Sequence, residues 1–170
     1  MNKYRLKPCI GPCPPAGFEH DPCNLHFIIS FSWPAGVSNS DLDTGVFANE
    51  DTSGFSCGNN ANPFFQSDDQ IIGENLVEIH HVSVNLGSIQ GDKFKLIEMY
   101  MHWHNAAPTP NQPVDLTVQE GGREETLVGL LTNITGNGCS VFVGEKQAKI
   151  KVPADGNWVL TKFDPDGAEI

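Results

Sequence analysis

Basic side chains are scarce: ten Lys and Arg stand against 21 Asp and Glu, a formal net charge of −11 over 170 residues. A phosphate backbone needs a basic surface to displace its counterions, so this balance excludes a nucleic-acid partner and argues equally against an anionic membrane. Long apolar runs are missing too, and no stretch approaches the ~20 residues of a membrane-spanning helix. The opening MNKYRLKPCIGPCPP has basic residues but no apolar centre, which is not the pattern of a secretion signal. Helical periodicity is nearly absent. So are a phosphate-binding loop, a dinucleotide fingerprint and a Gly-x-Ser-x-Gly elbow, and nothing compelling marks a nucleophile.

Turn chemistry is plentiful, with 17 Gly and 12 Pro punctuating short runs rich in aromatic and β-branched residues. Residues 25–33, LHFIISFSW, alternate so that Phe27, Ile29 and Phe31 share a face. Residues 77–86 and 94–104 are the clearest strands, and GSIQGDK between them predicts a hairpin. In that hairpin Val77, Ile79, Ile97, Met99, Met101 and Trp103 would form the apolar face. Further strands are expected over 114–120, 126–134, 139–145, 148–152 and 157–164. Short strands at this spacing predict an all-β fold, a two-sheet sandwich or jelly roll, over 25–170.

Residues 1–24 form a separate piece, with five prolines and Cys9, Cys13 and Cys23, expected as an extended tail. The chain has five cysteines in all, and an odd count leaves one for another molecule or as a free thiol. A disulfide-stapled tail linked to a neighbour would imply an oxidising, extracellular or cell-surface setting, with plain free thiols as the alternative.

The acidic groups gather in two segments. In Asp41-Leu42-Asp43 the carboxylates share one strand face while Leu42 points into the core. Asp68, Asp69 and Glu74 could close a site from the second segment, and such an all-oxygen set points to calcium. Turn and surface acids are the plainer alternative. His102 and His104 alternate with Trp103, and the expected hairpin would bring Glu78 opposite His104 and His80 opposite His102. Glu78, His80, His102 and His104 would then make a transition-metal set, or else an ordinary polar sheet face. A slip of one residue would scatter it. Asn133-Ile134-Thr135 is a glycosylation sequon, a pattern that also arises by chance.

A tryptophan-ended strand followed by Asp41-Leu42-Asp43 resembles the opening of small bacterial calcium-binding β-sandwich domains. The likeness continues through Asp68-Asp69 with Gly73-Glu74-Asn75, Tyr100 to His104-Asn105, and the Gly-Gly that ends 114–122. Over 41–105 the chain is also similar to the tellurite-resistance stress proteins. The resemblance spans roughly residues 25–122 and implies a calcium-bound sandwich. The first expectation is therefore a non-enzymatic, calcium-stabilised subunit of an extracellular or surface assembly, a homo-oligomer or filament. Its tail would dock on a neighbouring copy as an added strand. The alternatives are a calcium-dependent carbohydrate-binding module that takes a glycan, and a metal-dependent enzyme built on the histidine set.

Overall fold

The computed structural model describes residues 24–34, 41–48, 67–72, 75–105, 107–136, 144–164 and 168–170, with backbone alone at 48, 67–72 and 75. The fold is an all-β sandwich of two sheets. Its strands are β1 (Asn24–Pro34), β2 (Leu42–Ala48), β3 (Ser67–Ile72), β4 (Asn75–Asn85), β5 (Phe94–His104), β6 (Val114–Glu120), β7 (Arg123–Leu130), β8 (Thr135–Gly136), β9 (Glu145–Pro153) and β10 (Val159–Lys162). The first sheet runs β3-β4-β1-β6-β7 and the second β10-β9-β5-β2. These ladders are antiparallel. The short β8 pairs in parallel with the end of β5, at Trp103 and His104.

Strand β1 is the axis of the first sheet. Its strict alternation buries Leu25, Phe27, Ile29, Phe31 and Trp33, and Pro34 ends the strand where a ladder donor is no longer needed. From the second sheet Leu42, Val46, Ile97, Met99, Met101 and Trp103 face them, with Ala148, Ile150 and Val152 of β9 beside. The stacking order follows from cross-sheet contacts. Thr44 of β2 meets β4, while Arg123 at the start of β7 packs on Trp158 just ahead of β10. Strands β2 and β3 therefore lie on one side of the sandwich, and the edge strands β7 and β10 on the other.

The expected β4–β5 hairpin does not form. β4 pairs with β1 and β3, β5 with β2 and β9, and residues 86–93 arch from one sheet to the other. Leu86 and Ile89 of the arch are buried, and Asn85 Oδ1 accepts from Gly87 N at 2.8 Å to start its single 3-10 turn. A connector with two apolar anchors is better served by plugging the end of the core than by a solvated hairpin loop. The inward face of β4 is likewise the other one. Glu78, His80, Val82 and Val84 point inward, opposite the buried face of β1, and Val77 and Ile79 lie on the outer face.

Two other boundaries move. β7 begins at Arg123, and 131–134 is an irregular segment pinned by Asn111, whose Nδ2 donates to Thr132 O at 2.9 Å. The final strand is Val159–Lys162. The tail through residue 23, all five cysteines, Glu74 and most of the expected strand 139–145 lie outside the described residues. Among the described residues no helix is long and apolar enough to cross a membrane.

Candidate functional site

Strand β2 carries polar groups on both faces. Because successive side chains alternate, Leu42, Thr44 and Val46 point between the sheets, whereas Asp43 points outward. Thr44 is fully buried and meets Glu78 and His80 of the opposite sheet, which are 3 % and 0 % exposed. Glu78 and His80 are in register with Phe31 and Ile29 of β1, and the His80 ring stands edge-on to Phe31 with centroids 5.9 Å apart.

The proton arrangement follows from donor arithmetic. Thr44 has one hydroxyl hydrogen, and a carboxylate can only accept. With Glu78 ionised, Thr44 donates to Glu78 Oε2 and accepts from His80 Nε2–H. Among the described residues no hydrogen-bond partner reaches His80 Nδ1, which suits a neutral imidazole keeping a bare lone pair there. Burial, reinforced by His81, pushes the His80 pKa down to about 3 from 6.5, so the ring stays neutral.

On the outer face, Asp43 is in register with His102 of β5. Asp43 Oδ2 lies 3.1 Å from His104 Nδ1 in hydrogen-bonding geometry, and 3.0 Å from His102 Nε2 as a close electrostatic neighbour outside that geometry. The His102 side chain is 1 % exposed. Burial lowers its pKa, and the Asp43 carboxylate opposes that shift. The chain is held at this corner by its backbone as well, since His104 N donates to Asp41 O at 2.8 Å.

The sequence-predicted groups therefore part company. Glu78 and His80 face the core, while His102 and His104 lie on the outer face of the other sheet, so the four do not form one set. Asp41 is exposed beside Asp43 on β2, whereas Asp68 and Asp69 belong to β3 of the other sheet, in register with Ile79 and Glu78. The exposed Asn133 of the sequon accepts from Asn111 Nδ2 at 2.9 Å. Among the described residues no group of three or more His, Cys, Asp or Glu side chains is placed to enclose a metal ion.

Thr44 escaped sequence reasoning. Its signal was a hydroxyl at an inward position between Leu42 and Val46, where a buried polar group must find a partner. No protein family, curated protein or solved structure matches this chain.

Proposed function

We propose that this chain is a non-enzymatic structural β-sandwich, a subunit of an extracellular or surface assembly. In this reading its histidine and acidic side chains fasten the fold. The observation that carries the assembly reading is the open side of the sandwich. Edge strands β7 and β10 leave Val128 and Val159 68 % and 55 % exposed, and Leu131, next after β7, is 50 % exposed. Apolar groups left in water beside strand edges that pair with no other described strand suit a protein partner. The fastening reading draws on Thr44, Glu78 and His80, enclosed between the sheets where a substrate has no room, and on Asp43, taken up by two imidazoles.

Sedimentation velocity of the full chain over a range of concentrations tests the assembly. Self-association that weakens in Val128→Ser/Leu131→Ser supports it, and a monomer at every concentration rejects it. Calcium at the acidic segments 41–43 and 67–74 is a separate proposal, tested by melting in calcium and in chelator.

A further inference from the structure

The outer face of the β4–β1 ladder carries a histidine pair that the proposed function does not use. His26 of β1 stands in register with Ser83 of β4, and His81 lies two residues along β4, diagonal to His26. His26 Nε2 is 3.1 Å from His81 Nδ1, with ring centroids 5.3 Å apart. On the other side of the same ring, His26 Nδ1 is 3.1 Å from Ser83 Oγ. Both side chains are half-buried, and the two hydrogen bonds hold the His26 ring in place.

We propose that His26 and His81 form a two-histidine site for a divalent transition metal of the nickel, copper or zinc class. Imidazole nitrogen is the ligand these ions share, and alkaline-earth ions avoid it. Two nitrogens at the usual metal–nitrogen length are ~3.3 Å apart in a tetrahedron and ~2.9 Å apart at a right angle, and the observed 3.1 Å falls between. Each ring must swing by about 40° to turn its lone pair from the line between the two nitrogens to a common point at the usual metal–nitrogen length. Ser83 permits this because a hydroxyl both donates and accepts. With the His26 proton on Nε2, the serine donates to His26 Nδ1 and His26 Nε2–H donates to His81 Nδ1. With metal bound, the His26 proton sits on Nδ1 and donates to Ser83, freeing Nε2. Holding the remote ring nitrogen is how proteins orient a ligating imidazole. Burial and the neighbouring His26 both lower the His81 pKa, which keeps that ring neutral and able to ligate. Water or a partner's side chain completes the coordination.

The test is a Ni2+ titration of the full chain, followed through the histidine ring signals by NMR. Paramagnetic broadening should strike His26 and His81 at a lower nickel concentration than any other histidine. His26→Gln and His81→Gln should each weaken nickel binding by tenfold or more, while His104→Gln leaves it unchanged. Ser83→Ala should weaken it less than either histidine change. Because the wild-type spectrum reads the site directly, a variant that fails to fold does not spoil the result. Simultaneous broadening of all histidines, or wild-type affinity in His81→Gln, overturns the proposal.

Discussion

Asp43 and Thr44 are consecutive residues of one strand that fasten opposite faces of one sheet. Asp43 is hydrogen-bonded to His104 and lies against His102 on the outer face, and Thr44 joins Glu78 and His80 in the core. The pleat separates them. β2 is an edge strand, and these contacts tie it to β5 beside it and to β4 across the core.

Thr44→Val keeps the shape of the side chain and removes the hydroxyl that His80 and Glu78 share. Two buried polar groups lose a partner, so urea unfolding should show a loss of about 1–3 kcal/mol. Replacing the three together by Val, Leu and Leu should cost less than Thr44→Val alone, because no orphaned polar atom is left behind.

Stability should fall with acid before the carboxylates titrate. In the unfolded chain His80 takes up a proton near 6.5, but in the fold only near 3. Between these values the unfolded state holds more protons, so stability is complete above about pH 6.5 and drops by about 1.4 kcal/mol per pH unit below it for this one group. His81 and His102 shift in the same direction and steepen the fall. Urea midpoints from pH 7 to pH 5 read the slope, and His80→Gln should reduce it by one proton.

Much of the sandwich was legible because its signals are local. The alternation of β1 gave away its buried face, and Leu42 between two acids placed the inward side of β2. The β4–β5 relation was not legible, because the eight residues 86–93 join two periodic strands as readily by an arch as by a hairpin. Only the burial of Leu86 and Ile89 separates the two choices. Assigning the wrong inward face to β4 then followed. β1 pairing turns Glu78 and His80 inward, so Val77, though buried, and the half-buried Ile79 lie on the other face. The partners of Asp43 were hidden for a different reason. They lie about sixty residues away on a strand whose register is set by the whole second sheet.

Near the end of β7, Gly129 has φ of 69°, and its N–H donates to Asp115 Oδ1 at 2.9 Å where the β6–β7 register shifts. A Cβ there meets no atom of the described residues within 4 Å, so the penalty for Gly129→Ala in thermal melts is conformational, about 1 kcal/mol. Gly122→Ala also meets no described atom and has no positive φ, and it should be neutral or slightly stabilising in a thermal melt.

Asp43→Asn keeps the size of the side chain and removes the charge facing two imidazoles. The carboxylate now offsets part of the effect of burial on His102, so its pKa should drop further in the variant, as followed by NMR of the ring.

The most direct measurement is a double-mutant cycle on Asp43 and His102, using Asp43→Asn, His102→Gln and the pair together in urea unfolding at neutral pH. A fastening contact gives a coupling of about 1–2 kcal/mol between the two positions. Single-site losses that simply add would contradict it, leaving Asp43 and His102 as neighbours that hold nothing together.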